Sequence, residues 1–333
     1  MRIIPLEQPL ADLLAQIDDL QAEQLRLYDA GANGQDVAAD QKAVEKHMKE
    51  LQVEHDQLQA DIFASLTPFD RVQLARHPER PYTLDYLSVL LTDWTELHGD
   101  RRFADDQAIV AGLGLLGGEQ PVAAMGHQKG RNVAERKARG FGQAGPAGYR
   151  KAMRIMELGA RFGHPILTFI DTPGAACSPE AEELGISEAL AASQLEMARL
   201  PVPTVCTVLG EGGSGGAIAL GVADHIIMLE HSYYSVIAPE ACASIIWRDA
   251  SRPAEAAEAL RLGAADALEF GFCDEVLPEP LGGAHKDPSG TATALLASIQ
   301  AALTRLSKLS PAELIEQRWQ RFERMGQVTT LTA

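Results

Sequence analysis

The segment Pro203 to Ala223, PTVCTVLGEGGSGGAIALGVA, sets the strongest limit on how this chain folds. An apolar, β-like run breaks into five glycines and restarts at once as a small-residue helix. Glycine admits positive φ and close approach to the main chain, and the first N–H groups of a helix lack intrahelical partners at its positive end. Such a turn suits an anion or an oxygen that gains negative charge during a reaction.

Three chemistries fit this turn. Gly210 to Gly215 satisfies G-x-G-x-x-G with Glu230 twenty residues on, as in a dinucleotide fold. The helix that follows has only about eight residues before Asp224, which is short for that unit. Gly212-Gly-Ser214-Gly-Gly216 also satisfies the nucleophile elbow G-x-S-x-G, with Asp266 and His285 in the order a serine hydrolase requires. In the third reading the backbone amides stabilise an enolate or ureido oxyanion and no nucleophile is needed.

A second turn supports the third reading. Pro165 to Ala175, PILTFIDTPGA, is another apolar strand ending in Pro and Gly, with a helix expected over about 180–199. Two successive strand–turn–helix units place two sets of donors at the C-terminal ends of neighbouring parallel strands, where open α/β sheets hold ligands. Asp171-Thr-Pro-Gly174 could also be a GTPase switch, but the chain has no phosphate-loop motif.

With 333 residues and 46% apolar content, one large core plus extensions is expected. Charge argues against nucleic acid, since 29 basic residues face 46 acidic ones for a net −17. No apolar run reaches the roughly 18 residues of a membrane span, and MRIIPLEQP lacks the apolar centre of a secretory signal. Cys177, Cys206, Cys242 and Cys273 are scattered without a C-x-x-C pair, so a reducing cytoplasm is expected. Basic residues concentrate in one segment, Lys129, Arg131, Arg136, Lys137, Arg139, Arg150, Lys151 and Arg154, with Glu135 the one acid. This is either a solvated face or a seat for a phosphorylated ligand or acidic partner, with Lys129, Arg131, Arg150 and Lys151 the candidate contacts.

Leu10, Leu13, Ile17 and Leu20, then Val44, Met48, Leu51, Leu58 and Ile62, recur at helical spacing on either side of GANGQD. A helical hairpin is expected there, with His55 on its apolar stripe. RHPERPY (76–82) reads as a linker and LDYLSVLLTDWTELHGD (84–100) as a helix. A β-hairpin turning at Gly117-Gly118, a helix over 146–162, the two glycine turns, the strands HIIMLE and SYYSVIA, and helices over 239–271 follow. That order suggests a spiral of ββα units. The expected division is a helical extension (1–80), a catalytic core (81–290) and a helical C-terminal segment (291–333).

The motifs ARHPERPYTLDY, GHQKGR, GYRKAMRIM, PILTFIDTPGA, GEGGSGGA, PEACASIIW and EPLGGAH, in this order, closely resemble the carboxyltransferase alpha subunit of bacterial and plastid-type acetyl-CoA carboxylase. The resemblance runs over nearly the whole chain and implies an α/β, crotonase-like ββα superhelix. It implies transfer of the carboxyl group from carboxybiotin, carried on a biotin carboxyl carrier protein, to acetyl-CoA, giving malonyl-CoA for fatty-acid synthesis. The partners implied are a beta subunit in an α2β2 assembly, the carrier and biotin carboxylase, with ATP bound elsewhere in that complex and no metal on this subunit. Site roles carry over as implied positions: Gly215 and Gly216, with Gly174 and Ala175 as a second pair, for the oxyanion. Gly212, Gly213, Ala217 and Ala176 are implied around carboxybiotin. No side-chain base is implied, and Asp171 is structural. The chain departs from the family where TPGAYPG becomes TPGAACS at Ala176 to Ser178, and VISPEG becomes VIAPEA at Ala238 and Ala241. Because those changes adjoin the pocket, a paralogue acting on another short acyl-CoA is the alternative carboxyltransferase reading.

Overall fold

The computed structural model describes residues 3–33 and 35–326. The chain forms two compact units, Met1–Leu66 and Thr67–Ala333. In the first, helices Gln8–Ala32 and Ala38–Ala64 form the hairpin and bury Leu13, Ile17 and Leu51 between them. Residues 67–80, placed above in the helical extension, belong to the second unit, and they contain a helix, Pro68–Ala75, capped by Thr67, ahead of the expected linker.

The second unit is built on eight strands: β1 (Leu91–Glu96), β2 (Ile109–Leu116), β3 (Gln120–His127), β4 (Ile166–Thr172), β5 (Thr204–Gly213), β6 (His225–Leu229), β7 (Tyr233–Ser235) and β8 (Glu275–Leu277). The sheet order is β1-β2-β3-β4-β5-β6-β8, with β7 on the far half of β5. β1-β2 and β2-β3 are antiparallel, and every later pairing is parallel. β1 corrects the expected long helix: the helix stops at Leu90, and TDWTE pairs with β2 through a bulge between Thr92 and Thr95. Two threonines and a tryptophan suit a strand, and Gly112 lets it approach, since a Cβ there would lie 2.1 Å from the Thr95 carbonyl oxygen.

Side chains alternate between two cores, as period-two strands require. Ile166, Ile170, Cys206, Val208, Ile226 and Met228 face a core completed by helices Pro146–Arg161 and Ile186–Arg199. Leu167, Phe169, Val205, Leu209, Ile227 and Leu229 face one completed by Thr83–Leu90 and Pro288–Leu306. Each fully buried Leu or Ile contributes roughly 1.5–3 kcal/mol, so the sheet is held from both sides. The helix expected over 180–199 divides into Pro179–Glu183 and Ile186–Arg199 because Gly185 takes φ +81 between them.

β5 serves two layers. Its first half pairs with β6 through Val205–Val208, and its second half turns away to pair with β7 through Glu211–Gly213. This strand-splitting superhelix is the crotonase-like α/β architecture expected from the resemblance. The C-terminal helix Pro311–Glu323 is fastened by Arg318, which is fully buried. Its guanidinium pairs with Asp224 at 2.7 Å and donates to the carbonyls of Met197, Leu200 and Val202. Arg318→Ala leaves Asp224, which keeps the Thr204 N–H, without its counter-charge and three buried carbonyls without this donor, and is expected to cost about 3–5 kcal/mol, read as a lowered urea midpoint. A loss under about 1 kcal/mol would show that water replaces the guanidinium.

Candidate active site

The two glycine turns meet. β4 and β5 are parallel neighbours, and after a register shift Thr172 lies opposite Gly212, so TPGA and GGSGG leave the sheet side by side. A Cβ on Gly213 would lie 2.2 Å from the Pro173 carbonyl oxygen, and one on Gly216 would lie 2.8 Å from the Ala175 nitrogen. Those two glycines exist so that one turn can rest on the other. The strand continues further than expected, through Gly210 to Gly213, because Gly212 and Gly213 pair with Tyr234 and Ser235.

The short helix Ser214–Ile218 starts directly from Gly213, which has no side chain to cap it. The amides of Ser214, Gly215 and Gly216 are therefore its orphan donors. Gly215 is the open position: a Cβ there would meet only the tip of Leu190, at 3.2 Å. Two amides of the TPGAA turn are taken up within the fold, one from the second implied pair and one at Ala176, implied near carboxybiotin. The Gly174 N–H is used internally, donating to Thr172 Oγ1 at 3.1 Å, and the Ala176 N–H donates to the Ala144 carbonyl at 2.9 Å. Ala175 remains beside Gly216, and Ala217 is buried in the apolar core.

Behind the turns lies a charge network absent from the sequence reading. Lys129 Nζ sits 2.6 Å from Asp171 Oδ1 and 2.8 Å from Glu211 Oε2, and the Glu211 N–H donates to Asp171 Oδ1 at 3.0 Å. Arg76 Nε and the Tyr233 hydroxyl both donate to Glu211 Oε1, at 2.7 and 2.8 Å, and Arg76 also pairs with Glu240 at 2.6 Å. Burial works to raise the Glu211 carboxyl, but the cations of Lys129 and Arg76 outweigh it and hold its pKa at about 2. Asp171 is raised, by burial first and by the Glu211 charge, against the pull of Lys129. Long-range pairing hid Arg76: it lies 135 residues from Glu211, in a segment that reads as a linker.

In front of this network is a cleft of about 340 Å³ lined by Arg76, Tyr82, Lys129, Arg136, Phe141, Pro173 and Glu211. The basic segment divides around it. Lys129 and Arg136 reach the cleft, whereas Arg131 lies over the Tyr82 ring and bonds Asp85 and two backbone carbonyls. Arg150 bonds Glu188 and the Leu184 carbonyl. Lys151 is buried against Asp105 and the Asp106 carbonyl, so the fold takes up the cation expected to meet a phosphate.

The hydrolase triad does not assemble. Asp266 pairs with Arg261 at 2.7 Å, and the His285 ring stacks on His77 with centroids 3.8 Å apart. Ser214 does adopt φ +49. The dinucleotide reading loses its acid as well, since the Glu230 carboxylate accepts the Glu279 N–H at 3.0 Å.

His127, on the last residue of β3, is fully buried. Burial, then the Lys129 charge, lowers its pKa to about 3, so it is neutral when folded and protonates near 6.5 when unfolded. The unfolded state therefore binds the extra proton below pH 6.5, and stability falls on acidification by up to about 1.4 kcal/mol per pH unit from this group. His127→Asn is expected to flatten the slope of unfolding free energy between pH 6.5 and 5; an unchanged slope would assign the titration to other groups.

Comparisons with known proteins give the family and the fold. The family model described as acetyl co-enzyme A carboxylase carboxyltransferase-like matches residues 3–326. An acetyl-coenzyme A carboxylase carboxyl transferase subunit alpha from a Cyanothece species is 51% identical over 99% of this chain and 98% of its own length. The Azotobacter vinelandii protein of the same name is 51% identical over 96% of this chain and 97% of its own. Among solved structures, a Pseudomonas malonate decarboxylase hetero-tetramer in complex with coenzyme A aligns with TM-score 0.56 and 21% identity over 71% of this chain and 91% of that one. The transcarboxylase 12S core aligns with TM-score 0.56 and 16% identity over 77% of this chain and 45% of that one, a likeness of fold. No helix among the described residues is long and apolar enough to cross a membrane. With a model match over nearly its whole length and relatives half identical to it, the chain belongs to the acetyl-CoA carboxylase carboxyltransferase-like family.

Proposed function

We propose that this chain is the alpha subunit of an acetyl-CoA carboxylase carboxyltransferase and transfers a carboxyl group from carboxybiotin to acetyl-CoA, giving malonyl-CoA for fatty-acid synthesis. The observation that carries the proposal is the contact between the two turns, which gathers the amides of Gly215, Gly216 and Ala175 at the ends of two parallel strands. The residues fit an oxygen that gains charge: Gly213 leaves the helix start uncapped, and Gly216 brings that start against the Ala175 nitrogen. Bound carboxybiotin supplies the carboxyl group and the carbonyl oxygen that becomes anionic as that group departs. The amides hold this oxygen, and a single such donor is worth about 3 kcal/mol in comparable sites. Gly212 and Gly213 form the floor through their pairing with β7, and Gly174 shapes the neighbouring turn with φ +155.

The assembly we propose is α2β2 in the cytoplasm, served by the biotin carboxyl carrier protein and biotin carboxylase. Biotin is carried on the carrier, not on this chain. The test is the reverse reaction, malonyl-CoA plus biocytin, with this chain alone and with a co-expressed beta subunit. Activity is expected only in the mixture; full activity of the lone chain would refute the requirement for a beta subunit.

A further inference from the structure

Phe141 is half exposed, at 54%, yet it is held rigidly. It adopts φ +57 between Gly140 at +52 and Gly142 at +81, three left-handed residues in a row. That conformation is strained for an L side chain, and here two contacts fix it. A Cβ on Gly142 would lie 2.8 Å from Lys129 Cγ, so the loop is seated tightly on the lysine. The Thr172 hydroxyl lies 2.7 Å from the Gly142 carbonyl, so the loop is fastened to the residue that opens the TPGA turn. A strained backbone that places a large apolar ring in water adds nothing to the core, and it does so where the ring lines the same cleft as Pro173.

The cleft's chemistry defines what meets that ring. Its apolar surfaces are Phe141, Tyr82 and Pro173. The Lys129, Glu211 and Arg76 side chains at its floor are engaged with one another. Arg136 is different: its Nε donates to the Gly130 carbonyl at 3.1 Å, and its terminal nitrogens have no hydrogen-bond partner among the described residues. About 340 Å³ lies at the low end of the roughly 300–1,000 Å³ of small-molecule sites. The cleft thus suits a ring-sized group with an apolar face and one anionic substituent.

We infer that Phe141 is the wall against which the fused ring of the carboxylated biotin packs, with Arg136 receiving its carboxylate. This rests on the function proposed above and assigns the cleft within it. Two of the residues lining the cleft adjoin the turns: Pro173 belongs to TPGA and its carbonyl oxygen would lie 2.2 Å from a Cβ on Gly213, and Glu211 immediately precedes Gly212.

The experiment uses the complex with its beta subunit and biocytin as the probe. In saturation-transfer NMR, Phe141→Ala is expected to abolish transfer from protein to the biocytin ring protons, and Phe141→Tyr to retain it. In the reverse reaction, Phe141→Ala should raise the biocytin KM about tenfold or more, equivalent to 1.4 kcal/mol, with the malonyl-CoA KM within about twofold. Arg136→Gln should lower kcat without changing the biocytin KM, since the biocytin ring lacks the N-carboxylate. Undiminished ring transfer in Phe141→Ala overturns the inference. So does loss of beta-subunit co-elution in that variant, which would make Phe141 a subunit contact. A wild-type complex that binds biocytin through Phe141 but carries out no transfer would instead refute the functional reading and leave the ring site standing.

Discussion

Lys129→Met is expected to destabilise the protein by about 3–5 kcal/mol at pH 7 and to lower carboxyl transfer at least about a hundredfold. The lysine is the only cation that touches Asp171 among the described hydrogen bonds and ion pairs, and it shares Glu211 with Arg76. Both carboxylates are buried, with side-chain exposures of 2% and 8%. Removing the cation leaves Asp171 charged in low dielectric or forces it to bind a proton. Arg76 still compensates Glu211, so the deficit belongs mainly to Asp171. For a domain of this size the loss corresponds to roughly a 6–20 °C fall in Tm.

The pH dependence separates this account from a simple packing defect. In the wild type, Glu211 has a folded pKa of about 2, below its unfolded value, so its contribution is present above about 4.5 and is lost as pH falls toward 2. In Lys129→Met the Asp171 carboxyl, already raised by burial, loses the charge that opposed the shift. Its folded form then binds a proton more readily than its unfolded form, and the variant gains stability relative to wild type as pH falls from 7 to 5.5. Denaturant titrations at those two pH values should show the gap narrowing. The double variant Lys129→Met/Asp171→Asn, which removes the stranded charge, should recover most of the stability. Equal losses in single and double variants, at both pH values, would mean that the lysine acts through its alkyl chain alone.

The functional consequence follows from where the partners lie on the chain. Asp171 is the residue before Thr172-Pro173-Gly174, and Glu211 precedes Gly212 to Gly216 by one residue. The clamp therefore fixes the spacing of the strand ends from which the two turns depart, and an error near 1 Å in such a site can cost about a hundredfold in rate.

The turns themselves were legible because their signals are local. An apolar strand, a Gly/Pro break and a small-residue helix are contiguous in sequence, and β4 and the start of β5 fall where expected, although β5 runs on through Gly213 because β7 pairs with it. The clamp was not legible, because Lys129 to Asp171, Lys129 to Glu211 and Arg76 to Glu211 span 42, 82 and 135 residues, which neither periodicity nor composition can report. Lys129 read as part of a basic face, and the structure instead neutralises it against two acids. β1 was missed for a different reason. LDYLSVLL sets up a helical period, and only pairing with β2 converts the following TDWTE to a strand. Phe141 had no signal at all, since an exposed phenylalanine between glycines is ordinary in sequence and informative only once its cleft is formed.

Gly216→Val is expected to abolish transfer while Gly215→Ala preserves most of it, and the contrast tests the oxyanion geometry more sharply than either alone. Both substitutions keep the backbone N–H, so neither deletes a donor. What differs is space. At Gly216 the added carbon would press on the Ala175 nitrogen and the Gly174 carbonyl carbon, both at 2.8 Å, and on the Tyr149 hydroxyl at 3.0 Å. Backbone on one side and a buried tyrosine on the other cannot yield by rotamer change, so the two turns must separate. At Gly215 the carbon meets only Leu190 Cδ1 at 3.2 Å, the end of a flexible side chain. Separating the turns removes the shared aim of the amides, and loss of one such donor elsewhere costs about 10²–10³ in rate. We therefore expect Gly216→Val below about 1% of wild-type reverse transfer and Gly215→Ala within about threefold of wild type, with both co-eluting with the beta subunit. If Gly216→Val retained activity, the two turns could not act as one site. If Gly215→Ala lost activity with its fold and assembly intact, the ligand would lie against the Gly215 Cα itself, and the oxyanion would be held on that face instead of between the turns.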